Sequence, residues 1–215
     1  MPLSLLHHEF DGLHRCSWCG HGGASADYIH YHDQEWGLPV ADERRLYEKI
    51  TLEAFQAGLS WITVLRKRER IREVFRGFDF ALVARFTDKD VERLLQDAGI
   101  IRHRGKITSA INNAQRVCDL LDKRGPGALA ALVWQHEPAA TTRPRKITPA
   151  EAATLGQTSE SAALSKALKK LGLRFVGPTT MYAFMQSMGV VNDHLEGCAF
   201  RAPVDAARQA FMRPA

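Results

Sequence analysis

Apolar residues recur every three or four positions along most of this chain, which is the spacing of amphipathic α-helices. The pattern predicts a helix over residues 42–57, another that begins after Ser60, and a long one whose core face runs from Ile107 to Leu121. Asp79 and Thr87 are predicted to begin two short helices, the second with a capping box. No convincing strand alternation and no internal repeat is found. The chain is therefore predicted to be all-α, with eight or nine short helices.

Glu53 stands in the middle of an apolar stripe. On the helix predicted for residues 42–57 it shares one narrow arc with Leu46, Ile50 and Ala57. Buried carboxylates usually have partners, so one interpretation is that Glu53 caps a helix or pairs with a buried arginine. The other is that its carboxylate is offered to a ligand inside an otherwise apolar pocket. The pattern alone leaves both open.

A basic helix, a short turn bounded by glycines and a second helix are predicted between residues 164 and 188. The turn lies between Gly172 and Gly177, and Pro178 is a favoured first residue of the second helix. Such glycines let backbone amides crowd against an anion, and the second helix offers it a positive N-terminal end. A nucleic-acid phosphate is a natural ligand, and basic side chains stand beside the turn: Lys169, Lys170 and Arg174. The alternative is a plain helical hairpin in the core.

Cysteines and histidines near both ends of the chain have the spacing of metal ligands. His194 and Cys198 are four apart, which on a helix places both side chains on one face. A tetrahedral zinc site needs four nitrogen or sulfur ligands, so a second pair from the N-terminal end would complete it and tie the two ends together. The spacing leaves that pair open: the two thiols of Cys16–Cys19, or one of them with His30 or His32. A redox role for Cys16–Cys19 is disfavoured, because no βαβ pattern surrounds it.

Composition narrows the class of protein. The 215 residues are 45% hydrophobic, enough for one substantial core, and the net charge of +5 fits a nucleic-acid partner without requiring one. Four cysteines are too few for a disulfide scaffold, which favours a reducing compartment. An early acidic residue, Glu9, argues against a signal peptide, and no apolar run reaches the ~18 residues of a membrane span. We expect a cytoplasmic protein, with no membrane association.

The chain is expected to hold one domain. Residues 1–14 show no strong period and are expected to be a loosely held N-terminal extension. The domain is expected over residues 15–205, followed by a C-terminal tail over 206–215. The polar, proline-bearing residues 137–149 are expected to form a surface loop, as is the glycine-rich segment after Cys19.

Several longer sequence segments, taken together, resemble those of one protein family. They are Cys16-x-Trp18, Tyr31-His32-Asp33-x-Glu35-Trp36-Gly37, Leu52-Glu53-x-x-Gln56-Ala57-Gly58-Leu59-Ser60-Trp61, Asp97-Ala98-Gly99-Ile100-Ile101-Arg102 and Gly172-x-x-Phe175-Val176-Gly177. In this order, and with few gaps, they are similar to the bacterial constitutive DNA-3-methyladenine glycosylase I family of the helix-hairpin-helix glycosylase superfamily. The likeness runs from Cys16 to about Cys198.

The resemblance implies a fold, a function and a set of site residues. The fold would be the helix-hairpin-helix glycosylase fold, in which the hairpin at residues 171–178 grips the DNA backbone. The function would be release of 3-methyladenine from alkylated double-stranded DNA by a protein that is a monomer by default for this fold. Glu53 would hydrogen-bond the methylated adenine and carry the catalysis, Tyr31 and Trp61 would stack on the base, and Tyr28 would be a further pocket member. A structural zinc would be held by four ligands: Cys16, His32, His194 and Cys198. The DNA contacts would fall on Lys169, Lys170, Gly172, Arg174 and Gly177.

Some positions depart from the family pattern. Cys19 is an extra thiol beside the implied zinc site, and Leu173 stands where the family usually has an aromatic residue. Other members of the superfamily carry a catalytic aspartate shortly after the hairpin, where this chain has Asn192. Asp193 is a candidate substitute, but we favour the interpretation that it orients His194, since metal-bound histidines usually donate to a carboxylate.

Two further classes remain as alternatives. One is a DNA-binding protein without catalytic activity, in which zinc joins the two chain ends. It is disfavoured, because binding to the DNA backbone needs no buried carboxylate such as Glu53. A Cys–His hydrolase built on Cys16 or Cys198 predicts an accessible thiolate, whereas zinc would protect both thiols. No lysine is clearly placed as a Schiff-base nucleophile, so we expect a monofunctional enzyme that releases the base without cleaving the strand.

Overall fold

Helices form most of the computed structural model, which describes residues 3–20, 26–144 and 146–215. The α-helices are α1 (Ala26–Gln34), α2 (Glu43–Gln56), α3 (Trp61–Val74), α4 (Phe80–Val83), α5 (Asp88–Gln96), α6 (Arg104–Arg124), α7 (Ala128–Trp134), α8 (Pro149–Thr154), α9 (Ser159–Lys170), α10 (Pro178–Ser187) and α11 (Arg201–Ala210). The prediction of a mainly helical chain is confirmed. The loop expected after Cys19 lies mostly outside the described residues, as does residue 145 of the loop expected over 137–149.

The N-terminal residues form a β-hairpin instead of the loose extension that we expected. Strand β1 (Leu5–His8) pairs antiparallel with β2 (Leu13–Cys16), and Leu5 stands opposite Cys16. Arg15 is buried and donates to both Asp11 and Asp33, at 2.6 and 2.8 Å, which ties the hairpin to α1. Each strand has four residues, which is too short for a period of two to stand out in the sequence. This hairpin is the departure from the all-α prediction within the described residues.

The helix starts follow the local chemistry of the sequence. Asp42 caps α2 by accepting a hydrogen bond from the backbone N–H of Arg45 at 2.8 Å. The capping box predicted at Thr87 is present, with Asp90 as its third residue. Thr158 caps α9 by accepting a hydrogen bond from the backbone N–H of Ser161 at 3.3 Å. Ser60 precedes α3, but its hydroxyl lies 2.7 Å from the hydroxyl of Thr63 and does not cap the backbone.

Helix α2 lies at the centre of the core. Leu46, Ile50 and Phe55 are fully buried along it, and each such side chain contributes roughly 2 kcal/mol to folding. The hydroxyl of Tyr47 on α2 donates to the carbonyl of Ala110 on α6 at 3.0 Å. A central helix packed on several neighbours holds its side chains in fixed positions, which matters because Glu53 lies on α2.

Helices α9 and α10 are joined by a short turn at residues 171–177. Gly172 has a φ of 89°, in the left-handed region that favours glycine, and Pro178 is the first residue of α10. Leu173, at the position where an aromatic residue was expected, is buried, whereas Phe175 is 42% exposed. The predicted order of helix, glycine-bounded turn and helix is confirmed.

Helix α11 continues through residue 205, the expected limit of the domain, to residue 210. Beyond it, the ring of Phe211 packs on Trp134 with centroids 4.5 Å apart. The division into domain and tail stays a prediction. None of the helices described is long and apolar enough to cross a membrane.

Candidate functional site

A cavity of about 300 Å³ opens beside α1, α2, α3 and α10. This volume is at the lower end of the range for small-molecule sites. Its aromatic lining residues are Trp18, Tyr28, Tyr31, Trp36 and Trp61, and its polar ones include Glu53, Gln56, Gln186 and Asp193. The cavity therefore combines π faces with a few polar groups, which suits a flat heterocyclic ligand.

Glu53 is buried and faces this cavity from α2. One interpretation paired this carboxylate with a buried arginine, but the partner is Lys49, one turn earlier on α2, whose Nζ lies 2.9 Å from Glu53 Oε1. Lys49 was not singled out in the sequence, although a lysine four residues before a buried glutamate shares its face of the helix. The ion pair leaves Glu53 lining the cavity, so it is compatible with both interpretations of the carboxylate.

The ammonium of Lys49 also contacts two aromatic residues of the cavity. It donates to the hydroxyl of Tyr31 at 2.8 Å and lies 3.4 Å from the centroid of the Trp61 ring. The rings of Tyr31 and Trp61 are 5.1 Å apart. Burial lowers the pKa of Lys49, while the charge of Glu53 opposes that shift. Lys49 therefore joins the carboxylate and the two rings into one buried cluster.

Tyr28 and Trp18 extend the aromatic lining toward the N-terminal segment. Their ring centroids are 5.3 Å apart, and Trp18 is also 6.3 Å from Tyr31. Burial raises the pKa of Tyr28 to about 12, so this phenol keeps its proton at neutral pH. The family resemblance implied that Tyr28, Tyr31 and Trp61 share a pocket, and in the structure all three line one cavity.

Asp193 lines the same cavity and is held by three donors. It accepts hydrogen bonds from the guanidinium of Arg143, from the hydroxyl of Tyr182 at 2.5 Å and from the amide of Gln186 at 2.8 Å. The interpretation that Asp193 orients His194 is therefore wrong. The side chain of Asn192 accepts from the backbone N–H of His194 at 3.1 Å. Arg143 was missed because it lies in a loop far away in sequence.

Four buried cysteine and histidine side chains that could hold a metal ion meet beside the cavity, and one of them, Cys16, lines it. The ligand atoms of Cys16, His32, His194 and Cys198 all lie within 4.8 Å of one another. Residues 194–198 form a turn and not the helix that we assumed for this pair, yet His194 Nδ1 lies 3.4 Å from Cys198 Sγ. The two ends of the chain meet at this cluster, as predicted.

The structure distinguishes between the N-terminal ligand pairs that the spacing of cysteines and histidines left open. The thiol of Cys19 donates to the carbonyl oxygen of Cys16 at 3.1 Å, and Cys19 is not among the four clustered residues. His30 is exposed on the surface of α1. Within the part of the chain that the structure describes, Cys16 and His32 are thus the N-terminal pair.

The surroundings of the four residues fit a metal ion. His194 turns Nδ1 toward the thiols, and its Nε2 lies 3.0 Å from the carbonyl oxygen of Trp36. His32 turns Nε2 toward Cys198, and its Nδ1 lies 2.7 Å from an oxygen of Asp33. Outer hydrogen bonds of this kind fix the orientation of metal-binding imidazoles. The thiol of Cys16 and the two imidazoles hold the pKa of Cys198 well below its ordinary value. Two thiols and two imidazoles are a donor set for tetrahedral zinc.

The candidate DNA-contacting residues lie together at the turn between α9 and α10. Lys169, Lys170, Gly172 and Arg174 are exposed, and Gly177 is half-buried. Asn113 on α6 fixes the turn by bonding both backbone groups of Arg174. A glycine-bearing turn with exposed cations presents N–H groups and positive charge to an anion.

Comparisons with known proteins identify the family to which this chain is similar. A model of the methyladenine glycosylase family matches residues 18–202. DNA-3-methyladenine glycosylase 1 of Escherichia coli K12 is 49% identical over 193 residues, which cover 86% of this chain and 96% of that protein. The DNA-3-methyladenine glycosylase of Haemophilus influenzae is 45% identical over 188 residues, again 86% of this chain and 96% of the relative.

Solved structures show the same likeness. A crystal structure of a 3-methyladenine DNA glycosylase I superposes with a TM-score of 0.77 at 46% identity, covering 86% of this chain and 98% of the other. The Staphylococcus aureus 3-methyladenine DNA glycosylase I, solved to explain 3-methyladenine recognition, has a TM-score of 0.75 at 30% identity, covering 86% and 96%.

The match to the family model over residues 18–202 and the identity to two named glycosylases identify the chain as a glycosidase. The chain belongs to the methyladenine glycosylase family. It is an enzyme of the DNA-3-methyladenine glycosylase class.

Proposed function

We propose that this enzyme hydrolyses the N-glycosidic bond of 3-methyladenine in alkylated duplex DNA after the base has been extruded into the 300 Å³ cavity. A base inside a duplex is inaccessible, so the pocket must offer π faces and hydrogen-bond partners to the extruded base. The observation that carries the proposal is the buried carboxylate of Glu53 in a cavity lined by Tyr28, Tyr31 and Trp61.

The chemistry of the lesion suits these residues. Adenine methylated at N3 is cationic in DNA, so electron-rich rings and a nearby carboxylate favour it. Glu53 would accept a hydrogen bond from the base, and the rings of Tyr31 and Trp61 would stack on it, with Tyr28 at the side. The C1′–N9 bond breaks with its electron pair leaving on the base, which neutralises the positive charge. Water supplies the hydroxyl group to C1′ and releases one proton to solvent.

Zinc would be bound by Cys16, His32, His194 and Cys198, and would serve as a structural link between the two chain ends. The position of His32 connects the zinc site to the cavity. His32 directly follows Tyr31, and the ring of Tyr31 lines the cavity. Fixing one imidazole thus fixes the adjacent pocket residue on α1. No reaction step involves the ion.

DNA would be gripped by the turn between α9 and α10, in the manner of a helix-hairpin-helix. The backbone at Gly172 and Gly177 would approach a phosphate, and three cations would add attraction: Lys169, Lys170 and Arg174. Double-stranded DNA with alkylated bases is accordingly the proposed partner. A monomer acting in the cytoplasm fits this role.

The position of Lys49 supports base release without strand cleavage. A Schiff-base mechanism needs an amine that reaches C1′ of the sugar. Lys49 is buried and has a lowered pKa, but its Nζ is held by Glu53, Tyr31 and Trp61 and does not line the large cavity. We therefore expect a monofunctional enzyme.

One experiment tests both parts of the proposal. Duplex DNA treated with a methylating agent is incubated with the enzyme, and free bases and strand breaks are measured separately. Release of free 3-methyladenine with intact strands is the expected result. No release despite DNA binding would contradict the glycosylase proposal. A covalent adduct trapped by borohydride would contradict the monofunctional mechanism.

A further inference from the structure

The N-terminal β-hairpin lies against the four-residue cluster that could hold zinc. Strand β2 ends at Cys16, the first residue of that cluster. It is fixed to the C-terminal segment, because the N–H of Ala199 donates to the carbonyl oxygen of His14 at 2.9 Å. Strand β1 is the outer strand of the hairpin, and its Leu5 stands directly opposite Cys16. β1 therefore runs along the segment that carries this cysteine.

Two leucines of β1 pack at positions where the cluster segments have glycine. A Cβ atom added at Gly197 would lie 2.7 Å from Cδ1 of Leu5, and one added at Gly20 would overlap Cδ2 of Leu6. Carbon atoms pack at about 3.5–4.0 Å, so a larger residue at either glycine would push β1 away. Gly197 directly precedes Cys198. Leu5 thus reaches the C-terminal part of the cluster as well as Cys16.

Leu5 belongs to the apolar shell around the two cysteines. It packs with Ile147 and Leu195 against Cys16 and Cys198, which are 1% and 6% exposed. Leu5 itself is half-buried, with the cluster on one side and solvent on the other. Ile147 and Leu195 lie in the segment that the family model matches, whereas β1 precedes the start of that match at residue 18. The hairpin adds an outer layer to the shell.

Such a layer affects how an ion is exchanged. A zinc ion leaves a protein when water or another ligand replaces its protein ligands, so the incoming molecule must first reach the ion. A short outer strand is a segment that can open locally at a small cost in free energy, without unfolding of the whole domain. Opening of β1 would uncover the thiols of Cys16 and Cys198 while β2 stays in place.

We propose that β1 is a movable cover of the zinc site, which sets the rates at which zinc enters and leaves without supplying a ligand. The inference rests on the proposed function, since it assumes that the cluster binds zinc. A cover slows entry and exit by the same factor and leaves the dissociation constant unchanged. A residue that orients a ligand would change the dissociation constant itself.

The test measures zinc exchange in the zinc-loaded, full-length enzyme. Leu5→Ser keeps the strand and removes the apolar side chain opposite Cys16. Release of zinc to an excess of a chromogenic chelator should become about tenfold faster, because opening of β1 no longer exposes a leucine side chain to water. The dissociation constant, measured by competition at equilibrium, should stay near that of the wild type. The matched control is Leu13→Ser, the same substitution at a 36% exposed position of β2, which should change neither quantity.

Hydrogen exchange measures the opening of β1 independently. The N–H of Ser17 donates to the carbonyl oxygen of Ser4 at 2.8 Å, so protection of this amide reports that β1 is in place. In Leu5→Ser its protection should fall by the same factor by which zinc release accelerates. Leu5→Ala is measured beside it as a milder truncation, which gives the same decision if Leu5→Ser takes up no zinc.

The outcomes separate a cover from a structural support. A dissociation constant that rises in step with the release rate would show that Leu5 supports the ligand geometry, and would overturn the inference. Zinc release at the wild-type rate from a variant whose Ser17 amide has lost protection would overturn it as well. A wild type that takes up no zinc would instead overturn the proposed zinc site itself.

Discussion

Asn113 holds the backbone of Arg174 through both of its amide atoms. Its Oδ1 accepts from the N–H of Arg174 at 2.8 Å, and its Nδ2 donates to the carbonyl oxygen of the same residue at 3.0 Å. Asn113 is fully buried on α6, whereas Arg174 is exposed in the turn between α9 and α10. A core residue thus fixes the conformation of the proposed DNA-contacting turn.

Asn113→Ala should weaken DNA binding more than it weakens binding of the free base. The substitution removes two hydrogen bonds and leaves the backbone of Arg174 without these partners, at a cost of about 2 kcal/mol. Affinity for an undamaged duplex, measured at fixed salt, should fall by about tenfold, since the turn no longer has one conformation. Affinity for free 3-methyladenine should stay near that of the wild type.

The matched control is Asn112→Ala, which removes a 3.2 Å hydrogen bond to Oδ1 of Asn113 and a bond to the carbonyl oxygen of Gly172 on the same turn, at 2.9 Å. The bond to Gly172 is exposed, so its loss should cost less than the loss of Asn113. Equal losses in both variants would show that Asn113 does not fix the turn in the way described.

Removal of the metal should unfold the junction between the two chain ends. The purified enzyme is expected to contain one zinc ion per chain. The Cys198→Ser variant should lose this zinc. It should also melt at a lower temperature, because zinc binding stabilises only the folded chain. The control is Cys19→Ser, which lies beside the cluster without joining it. Loss of zinc from the Cys19 variant, with retention in the Cys198 variant, would refute the ligand assignment.

Asp33→Asn should weaken metal binding without removing a ligand. Asp33 lies 2.7 Å from Nδ1 of His32 and also pairs with buried Arg15. The loss of such an outer partner typically lowers metal affinity by about 10–100-fold. Competition with a chromogenic chelator measures this change. An affinity equal to that of the wild type would mean that Asp33 matters only for the hairpin.

Arg143→Gln should destabilise the fold around Asp193, which lines the cavity. Asp193 is buried and would lose its charged donor while Tyr182 and Gln186 remain, so the free energy of unfolding should fall by about 2 kcal/mol. The nearby control Lys146→Gln breaks an exposed ion pair with Glu196 and should change stability by less than about 0.5 kcal/mol. Urea titrations followed by circular dichroism compare the two, and similar values would argue against a structural role for Arg143.

The sequence was sufficient where a signal was periodic or local. Helices α2, α3 and α6, the capping box at Thr87 and the glycine-bounded turn follow from spacing and from well-understood cap chemistry, whereas α1, α8 and α11 were not predicted. The arc that holds Glu53 correctly predicted a buried carboxylate.

Features that depend on long-range packing were missed. The β-hairpin was missed because its strands have four residues each. The pairing of Arg143 with Asp193 joins residues 50 apart, and nothing in either segment indicates it. The burial of Lys49 was also missed. A lysine on a helix is normally expected to face solvent, but the ammonium of Lys49 lies against the rings of Tyr31 and Trp61.

Lys49 also determines how the role of Glu53 must be tested. Glu53→Gln alone would leave a buried ammonium without its charge partner, at a cost of about 3–5 kcal/mol, so a loss of activity could come from unfolding. The substitution is therefore made in a Lys49→Met background, where both charges are absent together. Lys49→Met alone is the reference.

The decisive measurement is the single-turnover rate of 3-methyladenine release from alkylated duplex DNA by Lys49→Met/Glu53→Gln and by Lys49→Met, both shown to be folded and zinc-loaded. If Glu53 binds the extruded base, the double variant should be slower by about 30-fold, equivalent to one hydrogen bond to a charged group of about 2 kcal/mol. Equal rates would contradict the account, and would leave Asp193 as the carboxylate of the cavity to examine.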